Sequence, residues 1–153
     1  MSTRSMRGFT LLELLVVLAV LGLVAGMAGL SLGRDPQRQA FQEANFFVQV
    51  LQHARQRAVL EGMLLGIRLD AQGYQLLRRT ALGWDNAGQR HDAGIDLRLV
   101  IDDVFIEPSR SGSPQLLIHS NDQYSVFTLH FEQVGVRLVS VSSDGLNDPQ
   151  VDH

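Results

Sequence analysis

"RGFTLLELLVVLAVLGLVAGMAGL", residues 7 to 30, decides how the rest of the chain is read. Between Gly8 and Arg34 the only ionisable side chain is Glu13, set among Leu, Val, Ala and Gly. A helix rises ~1.5 Å per residue, so the uncharged stretch from residue 14 to 33 has the ~30 Å length of a bilayer core. A carboxylate within such a helix costs roughly 2.5 kcal/mol or more near its centre. Hydrophobicity alone gives Glu13 no purpose. An ordinary secretory signal would use Arg4 and Arg7 as its basic region and a small-residue cleavage site near Gly26–Ala28. A plain transmembrane anchor would account for the length. Neither gains anything from the glutamate.

The details fit a third reading. Gly8-Phe9-Thr10-Leu11-Leu12-Glu13 resembles the class III leader of type IV pilins and type II secretion pseudopilins. The resemblance implies that a membrane prepilin peptidase cuts after Gly8, and that the same enzyme methylates the new amine of Phe9. It also gives Glu13 a role in assembly. Cleavage turns a neutral peptide nitrogen at Phe9 into an amine that is mostly cationic at neutral pH. A cation and a carboxylate ~4 Å apart attract by about 4 kcal/mol at an effective dielectric near 20. Along a rigid helix Glu13 does not easily reach its own amine, but it can reach that of an adjacent subunit. Gly22, Gly26, Gly29 and Gly33 punctuate the span. They suit close helix packing in lipid or, as the resemblance suggests, local unwinding in a filament.

Composition narrows the functions open to the remainder. The chain has 153 residues and a net charge of −3, with no cysteine. Length and the single apolar segment fit a membrane anchor with one modest domain. Without cysteine there are no disulfides and no thiolate metal sites. Every basic residue is arginine, which excludes a P-loop lysine and a Schiff-base lysine. Loss of Arg4 and Arg7 with a leader would leave a still more acidic body, ill-suited to general nucleic-acid binding.

Beyond the span, Arg34-Asp35-Pro36 marks a helix start or kink, with Asp35 as N-cap and Pro36 at the first position. Ala40, Ala44, Phe47, Leu51, Ala54 and Ala58 form one helical stripe, widened by Phe41, Val48 and Val59. Phe46, Val50 and Leu60 point elsewhere, toward covering loops or toward other subunits. Gly62 ends the helix. The pattern then alternates through Leu65, Ile67 and Leu69, turns at Asp70-Ala71-Gln72-Gly73, and continues from Tyr74 to Thr80 as a hairpin. Further strands are expected at 96–107, 115–120, 124–132 and 135–142, with loops at 81–95 and 108–114. Asp102-Asp103 marks an edge or bulge in the first of these. The expected fold is α+β and type IV pilin-like: a long N-terminal helix followed by an antiparallel β-sheet or sandwich domain. Its segments are a leader at 1–8, a membrane-spanning half-helix at 9–33, an amphipathic half at 34–62 and a periplasmic β domain at 63–153.

No catalytic constellation is expected. His53, His91, His119, His130 and His153 lack metal-ligand spacing, and no nucleophile elbow, HExxH or dinucleotide fingerprint occurs. Ser120, His119 and Asp122 make a triad only on paper, because sequence neighbours seldom have that geometry. The acidic tail, with Asp144, Asn147, Asp148 and Asp152, is read as a solvated, partly disordered end rather than a calcium site. Trp84 lies in a loop, either tucked onto the sheet or anchoring a partner. No cofactor and no metal are expected.

Within the pilin-like families, the ending Val136-Arg137-Leu138-Val139-Ser140-Val141-Ser142-Ser143-Asp144-Gly145 resembles the close of the general secretion pathway H group of minor pseudopilins, related to the FimT pilins. That resemblance implies a structural subunit, not an enzyme, in the tip region of a pseudopilus that supports export of folded proteins across the outer membrane. Implied partners are the prepilin peptidase/methyltransferase, other minor pseudopilins of the tip complex, the major pseudopilin and the inner membrane, with the secretin and secreted substrates beyond them. Nucleic acid is not among them. The implied location is the inner membrane, single-pass, with the C-terminal domain periplasmic. Residues singled out are Gly8 and Phe9 for processing, Glu13 for assembly, and Phe46, Val50 and Trp84 for partner contact. The rival is a FimT-like minor type IV pilin serving pilus assembly or DNA uptake. It needs a cationic tip, and the tail after Val141 carries Asp144, Asp148 and Asp152 and no arginine.

Overall fold

Two helices and two antiparallel sheets follow one another along the chain. The computed structural model describes residues 11–29, 35–108 and 112–153, with the side chains of the first helix described to residue 22. The expected leader at 1–8, the Gly8–Phe9 cleavage position and the junction at 30–34 lie outside the described residues. The chain divides after Arg34 into two compact units.

In the first unit, α1 (Leu11–Gly29) carries Glu13 in its first turn. Leu12, Leu15 and Leu18 are exposed. Among the described residues no helix is long and apolar enough to cross a membrane. The described side chains of α1 end at Gly22, well short of the ~20 residues a span needs.

The second unit opens with α2 (Pro36–Glu61). The Asp35 side chain accepts from the Gln37 amide at 3.1 Å, and Pro36, whose missing N–H costs nothing there, takes the first turn. At the far end Gly62 adopts φ +64 and donates to the Ala58 carbonyl, a left-handed stop that a Cβ would oppose. Ala40, Ala44, Phe47, Leu51, Ala54 and Ala58 are buried, so the apolar stripe is the packed face.

The first sheet contains β1 (Leu65–Leu69), β2 (Gly73–Thr80), β3 (Gly83–Asn86), β4 (His91–Asp92) and β7 (Leu116–Ile118). Its order is β3-β2-β1-β7, with β4 also paired to β2. The second contains β5 (Asp96–Ile101), β6 (Val104–Ile106), β8 (Phe127–Gln133), β9 (Val136–Ser143) and β10 (Gln150–Asp152), in the order β10-β9-β8-β5-β6. All pairings are antiparallel. One core joins both sheets to α2: Phe47 meets Tyr74 of the first sheet and Phe127 of the second edge-on, at 5.0 and 6.0 Å.

Three expectations are corrected. Residues 96–107 are not one strand. Asp102 and Asp103, at φ +50 and +61, form a two-residue turn that folds β6 back on β5. Asp tolerates the left-handed region better than most residues, so the pair makes the hairpin that Asn-Gly would make more readily. The 81–95 region is not a plain loop, since β3 and β4 both pair there with β2, and Trp84 stands on β3. Nor is the tail a loose end: β10 pairs with β9, Gln150 opposite Ser142 and Asp152 opposite Ser140.

Candidate assembly sites

Three places on the molecule offer something other than packing: the first turn of α1, an ion cluster that holds the tail, and a cleft beside α2. Glu13 sits in the first turn of α1, where the positive end of the helix dipole favours a carboxylate. Gly8 and Phe9, expected to act with it, lie outside the described residues.

The ion cluster is the feature that the sequence hid. Arg55 is 8 % exposed, although it stands on the apolar stripe between Leu51 and Ala58. Its Nε and Nη2 donate to the two carboxylate oxygens of Asp122 at 3.1 and 3.0 Å, a two-pronged pairing. Nη1 donates to Asp148 at 3.0 Å and Nη2 also to the Leu146 carbonyl at 3.1 Å. The guanidinium lies 4.6 Å from the Tyr124 ring centre. Burial would lower the Arg55 pKa, but the Asp122 hydrogen bond and charge, with Tyr124 and Asp148, outweigh it and raise it. The tail is further tied where the Tyr124 hydroxyl donates to the Asn147 carbonyl, and where the His153 ring stacks 5.2 Å from Phe41. Asp144 accepts from the backbone and side chain of Asn147 and from the Leu146 amide, which holds its pKa at about 2. With both its oxygens taken by Arg55, Asp122 is not arranged as the third member of a triad with His119 and Ser120. One signal did exist. A lone arginine four residues after Leu51 and three before Ala58 falls on the buried face, so it must find partners.

Phe46 and Val50, singled out from the sequence, come together. Both line a cleft of about 330 Å³ with Tyr74, Leu76, Gly88, Gln89, Arg90 and His91. Phe46 packs on the His91 ring at 4.5 Å, and His91 Nε2 lies 2.8 Å from Glu43. The loop that walls the cleft is fixed: Ala87 donates to the Leu76 carbonyl, the Gln75 amide to Gly88, and Arg57 to Ala87. Arg90 pairs with Asp70 at 2.7 Å, and that hydrogen bond is the main reason the Asp70 pKa is lowered. Trp84 does not join this group. It stands on β3 beneath the Arg79 guanidinium, 5.5 Å from it, half-exposed. Leu60 projects freely, 85 % exposed. Among the described residues no cluster of His, Cys, Asp and Glu is placed to hold a metal ion.

A helix leading into two antiparallel sheets has counterparts among solved structures. The crystal structure of the minor pseudopilin EpsH from the type II secretion system of Vibrio cholerae superposes with a TM-score of 0.64 at 21% identity, over 75% of this chain and 94% of that one. The solution structure of Escherichia coli GspH gives 0.64 at 20% identity, over 76% and 89%. Residues 3–29 match the prokaryotic N-terminal methylation motif, a stretch that includes Gly8, Phe9 and Glu13. Type II secretion system protein H of Pseudomonas aeruginosa is 30% identical over 97% of this chain and 97% of its own length. The protein H of E. coli is 28% identical over 84% and 82%. The fold is that of a pseudopilin, and the chain belongs to the type II secretion system protein H family.

Proposed function

We propose that this chain is a minor pseudopilin, a structural subunit in the tip region of the type II secretion pseudopilus, whose filament supports export of folded proteins across the outer membrane. Residues 1–8 form the leader, 9–33 the membrane-spanning half-helix, 34–62 the amphipathic half, and 63–153 the periplasmic β domain. Prepilin peptidase cuts between Gly8 and Phe9 and methylates the Phe9 amine. Before and after this cut the chain sits in the inner membrane, single-pass, with its C-terminal domain in the periplasm, until it joins the pseudopilus. After cleavage, Glu13 of one subunit provides the counter-charge for the amine of the next, which drives docking and sets register. Its partners are then the other minor pseudopilins and the major pseudopilin.

The observation that carries this reading is the carboxylate of Glu13, set in an apolar segment at a fixed short spacing from Gly8, within the matched methylation motif. The test is the mass and N-terminal residue of the mature protein. The expected terminus is N-methylated Phe9. A terminus near Ala28 or Gly29 would show an ordinary signal peptide and sink the proposal. The soluble domain should show no salt-dependent retention of DNA; tight binding at physiological salt would favour the FimT-like pilin instead.

A further inference from the structure

The cleft beside α2 has the marks of a binding site rather than a packing flaw. Tyr74 lines it, and the Tyr74 hydroxyl is buried without a hydrogen-bond partner, the one such side-chain atom among the described residues. A buried hydroxyl left unpaired costs ~1–3 kcal/mol, so a fold rarely retains one without use. Gly88 is the second mark. Nothing in the backbone there requires glycine: its φ is not in the left-handed region, and an added Cβ would meet only the Leu76 Cβ, at an ordinary 3.8 Å. A side chain at this position would stand against the Leu76 wall; glycine leaves the space open. The walls are preformed, since the loop carrying Gly88 is held by the hydrogen bonds from Ala87, Gln75 and Arg57.

The lining decides what the cleft takes. Phe46, Val50 and Leu76 are apolar, and about 330 Å³ accommodates one bulky side chain with part of its backbone. The polar groups at the rim are already engaged, Arg90 paired with Asp70 and His91 hydrogen-bonded to Glu43, so the lining favours an uncharged occupant. We propose that this cleft receives a bulky uncharged side chain from a neighbouring pseudopilin subunit, seated between Phe46, Val50 and Leu76. The partner class rests on the pseudopilin reading above; the cleft and its chemistry do not.

The test places a photo-activatable benzophenone side chain at Gln89, on the exposed rim, in the full-length chain in secreting cells. The adducts are then identified by mass spectrometry. The expected adduct joins this chain to another pseudopilin. Gly88→Leu should lower its yield about tenfold, the equivalent of 1.4 kcal/mol, while Gly88→Ala leaves it near the wild-type level. Phe46→Ala, which removes an exposed wall without opening the core, should lower it similarly and decides the matter alone if Gly88→Leu does not accumulate. Undiminished adduct in a stably accumulating Gly88→Leu chain, or in Phe46→Ala, overturns the proposal. So does an adduct only to a second copy of this chain, to lipid, or to a protein that is not a pseudopilin. Deletion of the gene with secretion intact would instead remove the pseudopilin reading, so the two failures are told apart.

Discussion

Glu13 separates three steps that one side chain could affect. Glu13→Leu makes the apolar segment more apolar, so insertion should persist, and Gly8 and Phe9 are untouched, so cleavage should persist too. Joining the filament should fail or fall sharply, because the neighbouring amine loses its counter-charge in a low-dielectric setting. Comparing cleavage, membrane fractionation and crosslinking to partner pseudopilins checks this; normal crosslinking with normal secretion would deny the assembly role. Val134 poses an opposite problem. It sits at φ +51 beside Gly135 at +74, in the two-residue turn between β8 and β9, and it is 91 % exposed. A β-branched residue is strained there and has almost no packing to lose. Val134→Asn supplies the residue that a turn with two positive φ angles prefers, and should stabilise the domain by about 1 kcal/mol. Urea midpoints measure it, and an unchanged or lower midpoint would show that the strain is absent.

At the scale of elements, the tail behaves as a strap. β10 covers the edge of β9, and Arg55 fastens the turn that leads to it. Arg55→Ala leaves Asp122 and Asp148 largely in water, where their charges are tolerable, so the loss is that of charge-assisted hydrogen bonds and stacking, about 2 kcal/mol. The expected outcome is a lower urea midpoint together with earlier proteolytic cutting between residues 144 and 152. A midpoint drop without the new cutting would mean that Arg55 does not hold the strap. Element by element, legibility follows the range of the forces. The stripe of α2, the Asp35 and Gly62 ends and the alternation of β1 and β8 depend on neighbours within a few residues, and they are plain in the sequence. The Arg55–Asp148 pair joins residues 93 positions apart, so no local pattern announces it, and the tail reads as loose acid. The β5–β6 hairpin was missed for another reason: Asp-Asp is a poor turn signal next to Asn-Gly. The cleft was half legible. Phe46 and Val50 stand out as apolar residues off the stripe, while Gly88 and the Tyr74 hydroxyl gain meaning only from the fold.

For the whole molecule, the response to acid rests on three groups whose pKa values are lowered, His130, Asp70 and Asp144. Burial lowers the His130 pKa, with Arg137 and Arg98 adding to it against Glu132, while hydrogen bonds lower Asp70 and hold Asp144 at about 2. Each therefore binds its proton more readily in the unfolded chain, and stability falls as pH falls. The His130 contribution should be lost as pH drops below about 6.5, and the carboxylate contributions below about 4. Melting temperatures from pH 7 to pH 2 should decline in those two stages. His130→Gln should flatten the upper one; a wild-type melting temperature that holds steady or rises between pH 7 and 5 would contradict the assignment. The strap also has a consequence in time. A ribosome delivers Arg55 well before Asp148, which lies 93 positions later, so a half-made domain carries an incompletely paired cation on a helix face and an uncovered strand edge on β9. Such a chain is sticky until the strap arrives. Synthesis of the strap is then itself the event that makes the domain safe to release, and a copy cut short before it would be presented to proteases.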